Sequence, residues 1–380
     1  MNNLHVSLTN FKNESRVLKE TNSILNYCIA DKVYIASLHA DGLEEERVYY
    51  EQLVLNRFKL SSRKLSKNLF VQILKYLEFL FRVTLFYKKK NIQMVNIHSL
   101  ALLPLGISLK YIYKAKLVYD THELETETNG SKGLRKILSK FVEKLLIKKS
   151  DLIFVVSENI ADWYAKEYSI KRPLVVMNVP KFSEQRKTNH FRQNLDIKDD
   201  SIIALYQGGL SKGRGLNLLL ECFKQRKNQK IVIVFMGYGE LEEFVKEQSA
   251  KNTNIFFHEA VSHDVLLNYT SSADIGISLI QKTCLSYYYC MPNKLFEYTM
   301  AGLPVIVSNM KEMREMVEKY DMGIVVKEET VDSINKAIDK ILESNTKQMK
   351  RNARKCSQDN AWEKQEIKMI DEYKRVLDAK

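Results

Sequence analysis

Residues 206–220 read YQGGLSKGRGLNLLL. An apolar run from Ile202 to Tyr206 leads into this stretch, four glycines (Gly208, Gly209, Gly213, Gly215) strip side chains from the turn, and an aliphatic helical pattern follows. Strand, glycine turn and helix in that order form the unit from which parallel α/β sheets are wound, and the free N–H groups at the helix start can meet an anion. Lys212 and Arg214 add positive charge, and an arginine pairs bidentately with phosphate oxygens. The stretch is neither a phosphate-binding Walker loop, since no Gly-Lys-Ser/Thr closes it, nor a G-x-G-x-x-G dinucleotide loop.

The same alternation runs outward in both directions. Short apolar strands are predicted downstream at Ile231 to Phe235, Ile255 to Phe257, Ile275 to Ser278, Val305 to Val307 and Ile324 to Val326. Upstream they fall at His5 to Leu8, Val33 to Ala36, Val95 to His98, Leu117 to Tyr119, Leu152 to Val156 and Val175 to Met177, with helical stretches between. A chain of 380 residues exceeds what one core usually serves. The pattern therefore predicts two doubly wound α/β domains, at 1–183 and 201–360, with a polar connection at 184–200 and a terminal helix at 361–380 packing back toward the first domain. Ligands of such sheets bind outside the carboxyl ends of the strands, so the loops just after the strands are where the site is sought.

Three more loops carry chemistry. In IVIVFMGYGE, residues 231–240, Gly237 and Gly239 flank Tyr238; glycines there let a ligand approach the backbone, and Tyr238 can pack on a base or sugar. In PNKLFEYTMAGLPVI, residues 292–306, Pro292 suits the position before a helix and Asn293 is expected to cap it, leaving Lys294 in the first turn and Glu297 one turn on. A glutamate near a helix N-terminus stays ionised cheaply and can accept from two vicinal hydroxyls, while Lys294 can neutralise a phosphate. A capped helix with an ordinary i,i+3 ion pair is the competing reading. In LVYDTHELETETNG, residues 117–130, Asp120 can fix the tautomer of His122, which can donate to a transferring sugar or orient an acceptor. Asp120, His122 and Glu123 lack a remote fourth partner in this reading, so no metal site is expected.

Composition narrows the classes. The balance of 45% apolar and 28% charged residues is that of an ordinary globular chain. Five cysteines at 28, 222, 284, 290 and 356 match neither a disulfide framework nor a metal motif, and the opening MNNLHVSLTN does not resemble a secretory signal; both point to the cytoplasm. The net charge of +13 admits nucleic acid, an anionic membrane or an anionic substrate, but no nucleic-acid-binding motif accompanies the twenty tyrosines.

Taken together the loops resemble the retaining family 4 glycosyltransferases of the GT-B fold. RVLKE at 16–20, YDTHE at 119–123, GGLSKGRG at 208–215, ADIGIS at 273–278 and NKLFEYTMAGLPVI at 293–306 follow the family's order. The resemblance implies two Rossmann-like domains facing across a cleft, the first binding the acceptor and the second a nucleotide-diphosphate sugar, UDP-sugar first and GDP-sugar second. It implies a metal-independent hexosyltransferase without a cofactor, acting in cell-surface polysaccharide or glycolipid synthesis. His122, Arg214, Lys294 and Glu297 take the catalytic places, with Gly208, Gly209, Lys212, Gly237, Tyr238, Asn293 and Leu295 around the donor. Two positions depart from the family pattern: Tyr289 stands where the first glutamate of the E-x7-E motif would be, and Gly209 where a loop arginine is usual. The missing glutamate keeps open a noncatalytic partner of a glycosyltransferase, and the shared architecture keeps open a sugar-nucleotide epimerase.

Residues 61–90, SSRKLSKNLFVQILKYLEFLFRVTLFYKKK, form one more candidate element. At 100° per residue Asn68, Gln72, Lys75, Glu78 and Arg82 share one narrow face and apolar residues cover the rest. Charges inside the stretch argue against a spanning helix, whereas Lys64, Lys67, Lys88, Lys89 and Lys90 at its ends suit an in-plane helix on the inner face of an anionic cell membrane. A cover helix buried against a sheet is the alternative.

Overall fold

The computed structural model describes residues 1–12, 14–66, 68–226 and 230–378, so Lys67 lies outside the described residues. The chain divides into two units, Met1–Val176 with Glu366–Lys380, and Met177–Gln365.

The first unit holds strands β1 (Asn2–Val6), β2 (Lys32–Leu38), β3 (Glu46–Tyr50), β4 (Leu53–Phe58), β5 (Ile92–Ile97), β6 (Lys116–Asp120), β7 (Leu152–Val155) and β8 (Leu174–Val175). Helices α1 (Ser15–Asn26), α2 (Leu69–Tyr87), α3 (Leu103–Tyr113), α4 (Gly133–Leu146) and α5 (Glu158–Tyr168) connect them. The sheet order is β3-β4-β2-β1-β5-β6-β7-β8. Strand order reverses between β1 and β5, which opens a crevice at their carboxyl ends. The exposed β3 pairs antiparallel with β4, an edge hairpin that the expected all-parallel pattern lacked.

The second unit begins with α6 (His190–Leu195), inside the stretch expected to be a connection; its Phe191 is fully buried in that unit's core. Strands β9 (Ile202–Gln207), β10 (Ile231–Gly237), β11 (Ile255–Glu259), β12 (Ile275–Ser278), β13 (Val305–Ser308) and β14 (Gly323–Val326) form a parallel sheet ordered β11-β10-β9-β12-β13-β14. All six second-half strands read from the sequence are present. Every residue of β10 is buried, as expected where helices cover both faces of a parallel sheet. Helices α7 (Leu216–Gln225), α8 (Glu242–Lys251), α9 (His263–Thr270), α10 (Leu285–Tyr288) and α11 (Asn293–Met300) flank these strands. Here the order reverses between β9 and β12, so the glycine loop after β9 lies at the switch.

Candidate functional site

Each unit gathers polar groups at its own switch. In the first unit Arg16, on α1, is fully buried and forks onto Asp120 at the end of β6, Nε to Oδ2 at 2.9 Å and Nη2 to Oδ1 at 2.6 Å. Its Nε also lies 3.0 Å from Glu20, one turn along α1. His98, just past β5, reaches Asp120 Oδ2 through Nδ1 at 3.1 Å, and His122 reaches the same oxygen through Nε2 at 3.0 Å. His5 in β1 closes the chain, its Nδ1 2.9 Å from His98 Nε2. An acceptor carboxylate assigns the protons: Nε2–H on His122, Nδ1–H on His98 and Nδ1–H on His5. His122 is thereby left with Nδ1 as an open acceptor on a ring that is 31% exposed.

The charges in this cluster follow from burial. Burial alone would push Asp120 up, but Arg16 and the two imidazoles hold it well below the usual carboxylate range. Burial and the neighbouring Asp120 charge push Glu20 well above its usual value, with Arg16 opposing. Burial lowers both His5 and His98 and keeps them neutral. Two trios, His5–Glu20–His98 and His98–Asp120–His122, bring ligand atoms within 4.8 Å of one another. The sequence argument against a metal, that Asp120 and His122 lack a remote partner, is thus corrected: His98 is that partner, and Glu123 is not in the group. Against a cation stands Arg16, whose guanidinium already occupies both Asp120 oxygens.

In the second unit the glycine loop and the start of α11 meet. The Lys294 ammonium lies 3.7 Å from the centre of the Tyr206 ring, and a Cβ on Gly208 would sit 3.7 Å from that nitrogen. Arg214 lies over the Tyr287 ring at 4.8 Å. Among the described residues neither cation forms an ion pair with a carboxylate. Desolvation by burial pushes Lys294 down to about 7, with the Arg214 charge adding to the shift and Glu297 opposing it. Glu297 accepts from Gln207 Nε2 at 2.5 Å, and Gln207 Oε1 accepts from Thr270 Oγ1 at 2.8 Å. Two cations with no carboxylate and a glutamate held by an amide are suited to a diphosphate beside a diol.

Comparison with known proteins places this architecture. The family described as "Glycosyl transferases group 1" matches residues 187–356, and "Glycosyltransferase Family 4" matches residues 30–178. The chain belongs to the family 4 glycosyltransferases of the GT-B fold. An uncharacterised glycosyltransferase of Methanocaldococcus jannaschii is 22% identical over 70% of this chain and 68% of its own length. Sucrose-phosphate synthase from Thermosynechococcus elongatus superposes over 100% of both chains with a TM-score of 0.81 at 15% identity. Anabaena HepE in complex with UDP and glucose covers 99% of this chain and 98% of its own, with a TM-score of 0.69 at 14% identity. At these identities the solved structures establish the fold.

Several expected site residues of this glycosyltransferase come together: Gly208, Lys294, Glu297 and Arg214 share the β9–α11 neighbourhood. Gly209 and Lys212 are exposed on the same loop, with Tyr206 Oη donating to the Gly209 carbonyl and the Lys212 N–H to Glu240. Leu295 does not join them. It is fully buried in the hydrophobic core, where the apolar face of α11 packs under the sheet, so its side chain cannot line a donor site. Asn293 is the first helical residue and not the cap; Pro292 holds that position, and its carbonyl accepts from Leu295 N. Gly237 and Gly239 serve backbone packing: a Cβ on Gly237 would fall 1.9 Å from the Gly208 carbonyl oxygen, and one on Gly239 2.5 Å from that of Leu210. Tyr238 is exposed, and Tyr289 packs against Tyr288.

Sequence reading missed His98, His5, Arg16 and Glu20 as members of one cluster. His98 was within reach, because it stands at the carboxyl end of a strand already read from the sequence. The i,i+4 spacing of Arg16 and Glu20 signals a helix pair, but the third member, Asp120, is 104 residues away.

Proposed function

We propose that this glycosyltransferase moves a hexose, with retention of configuration and without a metal, from a UDP-sugar to a glycan or lipid-linked acceptor in surface polysaccharide or glycolipid synthesis. The observation that carries the reading is the pair of cations without carboxylate partners, Arg214 and Lys294, held on tyrosine rings around Gly208 at the switch of the second sheet. A departing nucleoside diphosphate gains charge on its bridging oxygen, and fixed positive groups facing that oxygen lower the barrier more than they strengthen ground-state binding. Glu297, oriented by Gln207, is placed to accept from the ribose hydroxyls. The UDP and glucose held by the fold-related Anabaena HepE favour uridine as the base. Arg16, by occupying Asp120, favours chemistry without a metal in the first unit, and the open Nδ1 of His122 is available to a hydroxyl proton.

Tyr289, in the place of the motif's first glutamate, favours a second reading as a noncatalytic donor-binding protein. Calorimetric titration with UDP-, GDP- and ADP-sugars, followed by UDP-release assays with and without glycan acceptors, separates the two. UDP-sugar binding with acceptor-dependent release of UDP is expected. Binding without turnover of any donor leaves the noncatalytic reading, and no binding of any nucleotide sugar overturns both.

A further inference from the structure

The first unit carries two helices with a stripe of apolar side chains turned to solvent. On α4, Leu134, Ile137, Leu138, Phe141 and Leu145 recur at helical spacing, yet they face solvent; Leu134 is 71% exposed, Ile137 65% and Phe141 59%. The inward contact of α4 is instead made by Glu143, fully buried, whose carboxylate accepts from the hydroxyls of Tyr119 at 2.7 Å, Tyr164 at 2.9 Å and Tyr168 at 2.6 Å. On α2 the polar face bonds to the segment just before the helix. Lys75 donates to the carbonyls of Leu65 and Ser66, Glu78 accepts from Ser61 and Ser62, and Arg82 donates to Ser61 Oγ. Among the described residues of that helix only Phe79, Val83 and Tyr87 are buried, while Phe70 is 77% and Phe81 60% exposed. The segment therefore buries one apolar stripe and exposes another.

These helices flank α3 in one layer. Leu105 N donates to Tyr76 Oη, Tyr113 Oη donates to the Thr84 carbonyl, and α3 packs on α4. The layer is also basic: residues 69–90, 103–116 and 133–149 contain fourteen lysines and arginines against two acids, with Lys110 paired to Asp151 and Lys136 and Lys140 to Glu127 from outside these ranges. One of the two acids is the buried Glu143 and the other, Glu78, is bonded to Ser61, Ser62 and Arg82. Because α3 and α4 each return between parallel strands, their C-terminal ends lie at the same edge of the sheet, with Lys114 beyond one and Lys148 and Lys149 beyond the other.

We propose that the α2–α3–α4 layer docks on an anionic lipid bilayer, its aliphatic stripes entering the headgroup boundary and its lysines facing the lipid phosphates. Apolar side chains outside a basic frame match an in-plane amphipathic surface, and no described helix is long and apolar enough to cross a membrane. A second copy of the chain on the same face would set two such basic frames against each other. A nucleic acid would leave the aliphatic side chains without a partner.

The test is co-sedimentation of the full chain with phosphatidylglycerol–phosphatidylcholine vesicles and with phosphatidylcholine alone. Binding to the anionic vesicles is expected at low salt, with loss at high salt and little binding to neutral vesicles. The double variant I137S/F141S, at exposed positions absent from the donor site, should lower the partition coefficient by about tenfold or more. The variant K148Q/K149Q should lower it less and flatten the salt dependence. Thermal melting and UDP binding should match the parent in both variants. A parent chain that stays in the supernatant with anionic vesicles, unchanged partitioning of I137S/F141S, or a dimer in sedimentation equilibrium that I137S/F141S dissolves would each overturn the proposal.

Discussion

The ammonium of Lys294 rests 3.7 Å above the centre of the Tyr206 ring, with its proton affinity lowered to about 7 by burial and by Arg214. A diphosphate arriving there restores an opposite charge and draws the proton back. Nucleoside diphosphate binding should therefore take up about one proton at pH 8, where free Lys294 is mostly neutral, and almost none at pH 6, where it is already charged. Affinity should weaken as pH rises through and beyond 7. Titrations in two buffers of different ionisation enthalpy measure the uptake directly, and Lys294→Ala should abolish it.

Glu297 is held by Gln207, and Gln207 in turn by Thr270. Glu297→Ala should weaken nucleotide-sugar binding by about tenfold or more, through lost hydroxyl contacts, while the unpartnered Gln207 amide costs about 1–3 kcal/mol of stability. Gln207→Ala should leave Glu297 in place but poorly oriented and give a smaller loss of affinity. Calorimetry on the two folded variants checks the order.

Asp120 and Glu20 share Arg16 but are shifted in opposite directions, so their amide variants should diverge. Asp120→Asn leaves a buried guanidinium without its fork and should cost about 3–5 kcal/mol, whereas Glu20→Gln replaces a carboxyl whose charged form burial disfavours with a near-isostere and should cost less than about 1 kcal/mol. The contribution of Asp120, whose folded value is lowered, is present above its unfolded value and lost as pH falls. That of Glu20, whose folded value is raised, is present below its unfolded value and lost as pH rises toward the folded one. Urea melts of the parent and Glu20→Gln at rising pH should converge toward the variant's advantage.

Gly237 faces the Gly208 carbonyl so closely that Gly237→Ala should cost on the order of 3 kcal/mol or more, by forcing β9 and β10 apart at their ends. Gly130→Ala, with open space around its Cβ, should be close to neutral by the same urea titration.

The fully buried parallel strands were legible because a strand covered on both faces must be apolar throughout, as IVIVFMG in β10 shows. The β3–β4 hairpin was not: β3, ERVYY, lies exposed at a sheet edge, where no burial enforces a pattern. Lys294 and Glu297 were readable from their place on a helix after a strand. The burial of Leu295 between them needed the direction of the helix's apolar stripe, and periodicity supplies the stripe without its direction. The same ambiguity hid α4, whose spacing from Leu134 to Leu145 reads like any core helix until Glu143 is seen to point inward.

The apposition of Gly237 and Gly208 makes two loops one cassette for redesign. A donor loop grafted after β9 must keep its carbonyl where the β10 backbone already lies, and a side chain introduced after β10 displaces that carbonyl before it meets any sugar. Libraries that vary residues 237 and 239 alone would sample mostly displaced loops, whereas libraries that vary both segments together can trade one backbone path for another.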